Sequence, residues 1–267
     1  MKSQTGFLKF QKVFSMSVIP VSLVVAILVF NLIMGASGNF QGNNSANAPI
    51  PGNFLGLIYK GGMIVPIIMT LLLTVISFSL ERFLTINKAG GKGSAVEFVE
   101  KIKGSLAKND ISGAIVECDR FEGSIASVSK AALLKYQQLD KDNSMTKEQK
   151  LLDITKNIEE ATSLELPSLE QNLPILATIS SVATMMGLLG TVIGMIRSFA
   201  AMANAGAPDS VALSTGISEA LINTAFGIGT GALAVVMYNY FTTKIDKLTY
   251  SIDEAGYSIV QTFASKH

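Results

Sequence analysis

The sequence has no tryptophan, one cysteine (Cys118), one histidine (His267) and few charges. Charged residues occupy 15% of its 267 positions, against about a quarter in soluble domains, and 49% of its residues are hydrophobic. A single cysteine excludes an internal disulfide, and a single histidine argues against histidine-based metal centres and Ser-His-Asp catalysis. A net charge of +1 gives no overall field that favours nucleic acid. The composition therefore disfavours both a soluble enzyme and a disordered chain, and we expect no metal or cofactor.

The apolar residues are concentrated in four long runs. These runs cover approximately residues 13–34, 54–83, 173–203 and 211–241. Each run contains the roughly 20 residues that a membrane-spanning helix needs, and such runs are too long for strands. The many short alternating segments of a transmembrane barrel are absent from the sequence. The pattern predicts an all-α polytopic membrane protein with four transmembrane helices in the lipid bilayer.

The charged residues are concentrated between the second and third runs. Residues 88–172 contain 12 of the 21 Lys and Arg residues and 14 of the 20 Asp and Glu residues. Apolar residues recur there at helical spacing, and Asp110 precedes an apolar stretch as an N-cap would, so this insertion is predicted to be helical. Residues 244–267 carry an apolar stripe of Ile245, Leu248, Ile252, Ala255 and Ile259. Because this tail carries acids as well as lysines, we expect it to pack against the inserted helices rather than on the membrane surface.

The first apolar run allows two interpretations. Lys2, Lys9 and Lys12 precede an apolar core at 18–34, and small residues follow at 35–38, as in a secretory signal peptide. That core is longer than the roughly 7–15 residues of a signal-peptide core. We therefore expect the first run to be a retained transmembrane helix.

The distribution of basic residues predicts the orientation in the membrane. The segments 35–53 and 204–210 contain no Lys or Arg, whereas the N-terminus, the charged insertion and the C-terminal tail all do. Placing all three basic regions in the cytoplasm requires an even number of spans, and four spans satisfy this. The predicted organisation is a cytoplasmic N-terminus with a transmembrane helix (1–34), a flexible periplasmic loop (35–53), a second transmembrane helix (54–87), a cytoplasmic helical domain (88–172), a transmembrane hairpin (173–243) and a cytoplasmic amphipathic tail (244–267).

Small and polar residues form stripes along the two helices of the predicted hairpin. Steps of three and four residues place the members of each stripe on one helix face. Glycines in such stripes let helix backbones approach closely, so we assign helix packing to Gly187, Gly190, Gly194, Gly227 and Gly231. For Thr191 and Thr224 two roles remain open, helix packing and the lining of a hydrated path through the membrane.

Two charged residues, Arg197 and Glu219, lie inside the same apolar runs. Each is about eleven residues from a turn centred near 207–208, so an antiparallel hairpin would place them at one depth. Thr191 and Thr224 are level by the same arithmetic, near mid-membrane. A charge in a low-dielectric site is costly without a partner, which predicts a close Arg197–Glu219 pair, within a chain or between neighbours. The alternative is that Glu219 faces a pore and handles protons while Arg197 extends toward the outer interface.

Specific motifs lie in the hairpin. The stretch from Gly187 reads GLLGTVIGMI, the stretch from Gly216 reads GISEALINTA, and Tyr238-Asn239 follows. These motifs resemble the MotA/TolQ/ExbB family, and its ExbB members in particular. The resemblance runs from about Leu173 to Phe241, with a weaker likeness in residues 109–118 and in the second span.

The resemblance implies an inner-membrane proton-channel subunit and not an enzyme. It implies a homo-oligomer, expected to be a pentamer, around the helices of an ExbD-like single-span subunit whose aspartate takes up and releases protons. A TonB-like protein would then use the proton-motive force for outer-membrane transport. The family's pore residues fall on Thr191, Thr224 and Glu219.

Two features depart from the ExbB pattern. The chain has four predicted spans, whereas ExbB proteins usually have three and MotA has four. Arg197 and Asn223 add polarity to the hairpin and are assigned to an ion pair or a pore mouth. A TolQ-like or MotA-like stator subunit therefore remains an alternative, as does a membrane scaffold that conducts nothing.

Overall fold

A computed structural model of the chain describes residues 2–141, 144–204 and 210–266. Within these ranges the chain is helical, and the only extended pairing is an isolated bridge between Phe40 and Pro49. The all-α fold is therefore confirmed. The helices are α1 (Lys2–Leu28, continued by a π-helical turn at Val29–Met34), α2 (Phe54–Lys60), α3 (Ile64–Ala89), α4 (Ala95–Ala107), α5 (Ile111–Phe121), α6 (Gly123–Asp140), α7 (Lys147–Glu170), α8 (Leu173–Asn204) and α9 (Ser210–Lys266). The turn near 207–208 and His267 lie outside the described residues.

Four helical segments of the described chain are long and apolar enough to cross a membrane. They are Phe14–Met34, Ile64–Ala89, Lys147–Ala200 and Gly216–Lys266. Many of their apolar side chains are exposed in the single chain, as Met185 and Ile196 are at 64% and 62%. Exposed apolar surface of this extent is unfavourable in water and suits lipid or neighbouring helices. The prediction of a four-span polytopic membrane protein is confirmed.

Residues 1–79 and 174–238 form the first of two compact units. In this unit the end of α1 packs against α3 through a small core of Ala26, Met34, Val65 and Met69. Further along the same two helices, the rings of Phe14 and Phe78 meet edge-on with their centroids 6.4 Å apart. The first apolar run is thus packed on the second over several helical turns.

The second apolar run is interrupted, which corrects the prediction of one continuous helix at 54–87. Gly62 has a φ of +75°, a left-handed conformation that glycine adopts without steric cost. The amides of Gly61 and Gly62 close α2 by donating to the carbonyl oxygens of Ile58 and Tyr59, at 2.9 and 3.1 Å. The glycine pair therefore ends α2, and α3 begins at Ile64.

The segment 35–53, here called the connecting loop, is folded, where the sequence predicted a flexible connection. Phe40 is 1% exposed, and its ring packs edge-on against Tyr59 with the centroids 5.5 Å apart. The side-chain amide of Asn39 donates to the carbonyl oxygens of Ile33 and Met34, at 2.8 and 2.9 Å. The loop is ordered because one aromatic anchor is buried and one Asn satisfies carbonyl groups at the end of the preceding helix.

Residues 80–173 and 239–267 form the second unit, in which consecutive helices from α4 to α7 pack on one another. Asp110 caps α5 as predicted, because its carboxylate accepts a hydrogen bond from the Gly113 amide at 2.7 Å. The predicted apolar stripe of the tail is buried throughout: Ile245, Leu248, Ile252, Ala255 and Ile259. The tail is not a separate helix, because it forms the last part of α9.

Cys118 lies in the core of the second unit and is 2% exposed. Burial away from water disfavours the thiolate and raises the pKa of this thiol to about 12. The residue is therefore a small buried side chain, and it is chemically unreactive near neutral pH.

A closed polar cluster in the second unit surrounds Arg82, which is 0% exposed. Its guanidinium forms an ion pair with Glu81, with Nε donating to a carboxylate oxygen at 2.6 Å. Nη1 donates to the carbonyl oxygens of Ser168 and Leu169, at 3.0 and 3.1 Å, in the last turn of α7. Asn172 donates its side-chain amide to Glu81 at 3.2 Å. Each charge in this cluster, which we call the Glu81–Arg82 cluster, has hydrogen-bonding partners on neighbouring backbone or side chains.

Candidate functional site

The site is built around the crossing of α8 and α9, where two glycines bring the backbones together. A Cβ atom added to Gly187 would lie 2.9 Å from the carbonyl oxygen of Asn223 and 3.0 Å from the Cα of Gly227. A Cβ added to Gly227 would lie 2.6 Å from the carbonyl oxygen of Ala183. Contacts this short involve backbone atoms that cannot swing aside, so only glycine permits this crossing distance.

The other three glycines assigned to helix packing lie against the same facing helices. A Cβ on Gly190 would lie 2.5 Å from the Cβ of Asn223, and a Cβ on Gly194 would lie 2.6 Å from the Cβ of Ala220. A Cβ on Gly231 would lie 2.6 Å from the carbonyl oxygen of Ser180. The structure thus brings all five glycines to the contact between α8 and α9.

Thr191 and Thr224 meet at this crossing, and their hydroxyl groups are hydrogen-bonded to each other. The carbonyl oxygen of Gly187 lies 3.1 Å from Thr224 Oγ1 and 3.3 Å from Thr191 Oγ1. One hydroxyl can donate to this carbonyl while the other donates to the first hydroxyl. The two threonines are level, as the distances from the turn indicated, and both are only half-buried.

Next to the crossing the first unit contains a cavity of about 250 Å³ with apolar walls and several charged or polar side chains, here called the Glu219 cavity. Its walls come from the α2–α3 junction, α8 and α9. Glu219, Arg197 and Asn223 all line it, so the structure brings these three predicted site residues to one space. Glu219 is half-buried, while Arg197 is exposed.

Arg197 and Glu219 share the cavity but do not form the predicted ion pair within one chain. The ion pairs of the described residues include none between them, although both residues line the same space. Arg197 instead lies over the helix break, with Nη1 3.3 Å from where a Cβ on Gly62 would be. Equal depth on two helices does not fix the direction in which side chains point, so the two residues can be level without pairing within one chain. A pair between neighbouring chains stays a prediction.

Asn223 joins the hairpin to the helix break. Its side-chain amide donates to the carbonyl oxygen of Gly61 at 2.9 Å, although the two residues are 162 positions apart. The residue is 2% exposed, and its Oδ1 atom is buried without a hydrogen-bond partner among the described residues. Most buried polar groups in proteins are satisfied, so an orphaned amide oxygen that lines a cavity marks that cavity as a site of interest.

Lys60 is a site residue that the sequence reasoning missed. It ends α2, lines the Glu219 cavity and is close enough to Glu219 to act on it electrostatically. Its Nζ donates to the carbonyl oxygen of Ala46 at 3.1 Å and lies 5.6 Å from the centre of the Phe40 ring. The signal in the sequence was a lone lysine inside an apolar run, directly before the pair Gly61-Gly62.

Comparison with known proteins places the hairpin in a family. Residues 125–254, which include both threonines, Glu219 and all five glycines, match the model of the MotA/TolQ/ExbB proton channel family. The chain is similar to this family over these 130 residues. The four apolar helices make it a multi-pass membrane protein, and the match relates its hairpin to proteins of the proton-channel family.

Individual members of the MotA/TolQ/ExbB family match over different lengths. The Tol-Pal system protein TolQ of Pseudomonas aeruginosa is 26% identical over 200 residues, covering 72% of this chain and 84% of TolQ. A putative ExbB homologue of Methanothermobacter thermautotrophicus is 25% identical over 218 residues, covering 79% of this chain and 72% of the homologue. The biopolymer transport protein ExbB of Pseudomonas putida is 36% identical over 86 residues, which are 32% of this chain and 26% of that protein. Relatives named TolQ and relatives named ExbB are both similar to this chain.

Proposed function

We propose that the chain is an ExbB-like proton-channel subunit of a bacterial inner membrane. With an ExbD-like single-span partner it uses the proton-motive force to energise a TonB-like protein for outer-membrane transport. The subunit assembles as a homo-oligomer, with five copies as the expected number, and both termini lie in the cytoplasm. The family match supports this function, and the hydroxyl pair of Thr191 and Thr224 is the observation that carries it.

The hydroxyl pair gives the proposed channel a polar point between apolar helices. Each threonine hydroxyl can donate one hydrogen bond and accept others, so the pair can turn one donor from the Gly187 carbonyl oxygen toward a third group. An ionised carboxylate at mid-membrane is costly unless hydrogen-bond donors or water surround it. Thr191 and Thr224 therefore lower the cost of ionising a carboxylate that a partner helix brings beside them.

The charges of the first unit indicate why a partner is needed. Among its described residues Glu219 is the single acidic side chain, five residues from Thr224 on α9. Proton paths through membranes usually use several titratable groups in series. A partner carboxylate near the two threonines would supply the second group, with Glu219 at a separate level about 7–8 Å away along the helix.

A TolQ-like role is the second candidate, and the length of the TolQ match favours it. The Pseudomonas aeruginosa TolQ match covers 84% of that protein, whereas the Pseudomonas putida ExbB match covers 26% of its protein. Both candidates use the same hairpin and differ in the partners they serve. Co-purification of the chain with its single-span partner distinguishes them by the identity of the protein that is captured.

The test of the channel is the double substitution Thr191→Val with Thr224→Val. Valine keeps the shape of threonine and removes the hydroxyl, so we expect oligomer assembly to be intact and proton-dependent function to be lost. The matched control is Thr178→Val, because that exposed threonine lies on the same helix and bonds only to its own helix, at the carbonyl oxygen of Pro174. Equal activity in the double variant and the control would support the scaffold alternative.

The proposed orientation is tested by cysteine labelling at Ser45, which is half-buried in the connecting loop, and at the exposed Ser144. A membrane-impermeant thiol reagent added to intact cells should modify Ser45→Cys and leave Ser144→Cys unmodified. The reverse labelling pattern would contradict the proposed orientation and indicate the inverted topology. The native Cys118 does not interfere, because burial raises its pKa to about 12.

A further inference from the structure

All the walls of the Glu219 cavity come from one chain, so the cavity forms without a second copy. All of its lining residues belong to the first unit, and they come from the α2–α3 junction, α8 and α9. The side chains that give it polar character are Lys60, Arg197, Ser198, Glu219 and Asn223. These side chains favour an occupant that can donate and accept hydrogen bonds, while Met63, Ile64 and Ile193 contribute apolar walls.

Asn223 defines what the occupant must do. Its amide group is used on the carbonyl oxygen of Gly61, so its Oδ1 atom remains as a buried acceptor without a partner among the described residues. Gly61 lets this oxygen pack against the helix break, because a Cβ at that position would lie 2.7 Å from it. The glycine break of the second span thus leaves a buried acceptor without a partner on a residue that lines the cavity.

Water is the occupant that fits these groups. A buried water needs two to four polar partners, and Asn223 Oδ1, the Glu219 carboxylate and the Lys60 ammonium group can provide them. A metal cation is disfavoured, because Lys60 and Arg197 bring two positive charges against one carboxylate. A lipid chain is disfavoured because it would leave the charged groups unsolvated. A volume of about 250 Å³ holds several water molecules.

We propose that the Glu219 cavity is a water-filled vestibule within a single subunit, opening on the side of the connecting loop and supplying water to the Glu219 carboxylate. Asn223 orders this water through Oδ1 and holds the helix break in place through its amide. The vestibule rests on the proposed function, because it gives water, and with it protons, access to Glu219 without a second chain. It also gives Asn223 and Lys60 a role that the threonine crossing does not need.

Thiol labelling of Ser198→Cys tests the vestibule. Ser198 lines the cavity, is 7% exposed and differs from cysteine by one atom. The matched controls are Ile196→Cys and Phe199→Cys, which are 62% and 50% exposed on the apolar surface and lie within about 3 Å of the same depth. The probes are small charged methanethiosulfonates, applied from each side of sealed vesicles, and the wild-type chain with its unreactive Cys118 is the blank.

Ser198→Cys should react from the side on which Ser45→Cys reacts, and at least about tenfold faster than either control, because only the hydrated thiol forms the thiolate readily. The anionic reagent should react faster than the cationic one, because Lys60 and Arg197 face the same space. A Ser198→Cys rate equal to the control rates would overturn the proposal, and so would reaction only from the opposite side.

Substitutions at Asn223 test the ordering role. Asn223→Leu, introduced with Ser198→Cys, removes the acceptor and should slow labelling to the control rate, whereas Asn223→Ser keeps a polar atom and should not. Unchanged labelling in Asn223→Leu would remove Asn223 from the vestibule. If Asn223→Leu does not accumulate in the membrane, the ratio of the labelling rate of Ser198→Cys to the control rates tests the vestibule by itself. Thr191→Val with Thr224→Val should leave the labelling of Ser198→Cys unchanged. The proposed channel and the proposed vestibule can therefore be contradicted independently of each other.

Discussion

The chain contains two Arg and Glu combinations in apolar helices, and they are built in opposite ways. In the Glu81–Arg82 cluster the charges are in contact, and backbone carbonyls and Asn172 complete their hydrogen bonds. Around the Glu219 cavity, Arg197 and Glu219 share a space without pairing, and an Asn oxygen nearby is unsatisfied. The first arrangement fixes helices in place. The second keeps polar groups available, which is what an exchange of water or protons requires.

The difference follows from where each carboxylate finds its partner. Glu81 is adjacent in sequence to Arg82, and the last turn of α7 presents carbonyl groups to the same guanidinium. Glu219 shares its cavity with Lys60, which is held by the connecting loop, and Arg197 lies over the helix break. A closed cluster tolerates no loss of one member, whereas an open cavity can replace a lost side chain with water.

Arg82→Met should show the largest loss of stability. It leaves the Glu81 carboxylate buried without its cation and removes both hydrogen bonds to the end of α7. Removing one partner of a buried pair costs on the order of 3–5 kcal/mol in the free energy of unfolding. Unfolding of the detergent-solubilised protein measures this. Lys92→Met, which breaks the exposed ion pair with Glu122, is the control and should leave the midpoint of the unfolding transition unchanged. A small effect of Arg82→Met would mean that the cluster is not closed in solution.

Gly227→Ala should give the second-largest effect. The added methyl would lie 2.6 Å from the carbonyl oxygen of Ala183, so α8 and α9 must separate. Overpacking of this kind typically costs about 1–3 kcal/mol. Gly229→Ala, two residues along the same helix, is the matched control, because a methyl there meets nothing within 4 Å. Denaturation curves of the two variants should differ, and equal stabilities would contradict the close crossing.

Asn223→Leu should destabilise the chain much less than Arg82→Met. It removes one hydrogen bond to Gly61 but also removes an unsatisfied oxygen, and water in the cavity can bind the freed carbonyl group. The net loss should be about 1 kcal/mol, the usual contribution of one hydrogen bond. The same unfolding measurement decides this. A loss as large as that of Arg82→Met would show that the cavity is dry and closed like the cluster.

The smallest effect concerns Cys118, which reports on the packing of the second unit. With its pKa raised to about 12, the thiol is almost entirely protonated at pH 8, so folded protein should resist alkylation. Mass spectrometry should show modification only after denaturation. Variants at the Glu219 cavity should leave this protection intact, whereas Arg82→Met, in the same unit as Cys118, should weaken it.

The sequence predicted the features that depend on hydrophobicity and helical rise. Four spans follow from apolar runs, and the level of Thr191 with Thr224 follows from counting residues from the turn. Features that depend on side-chain direction did not follow. The depth counted from the turn put Arg197 level with Glu219. Successive residues, however, are rotated by about 100° around the helix axis, so small differences in helix rotation decide whether two side chains meet.

Long-range hydrogen bonds also could not be predicted. The bond from Asn223 to Gly61 joins residues 162 positions apart, and those from Arg82 to α7 join residues 86 and 87 positions apart. No local pattern encodes such contacts, because they exist only once several helices are packed. The composition of the connecting loop predicted flexibility, since one buried Phe among Gly, Asn and Ser barely alters its polarity.

The contacts of Lys60 with the connecting loop let this loop position a positive charge. The ammonium group is held by the Ala46 carbonyl and the Phe40 ring, both of which precede it in the loop, while its charge acts on Glu219. The length of chain between Phe40 and Lys60 therefore sets where a positive charge stands relative to the hairpin. A related chain with a loop of another length would present the same hairpin motif at a different local potential, without a single change in α8 or α9.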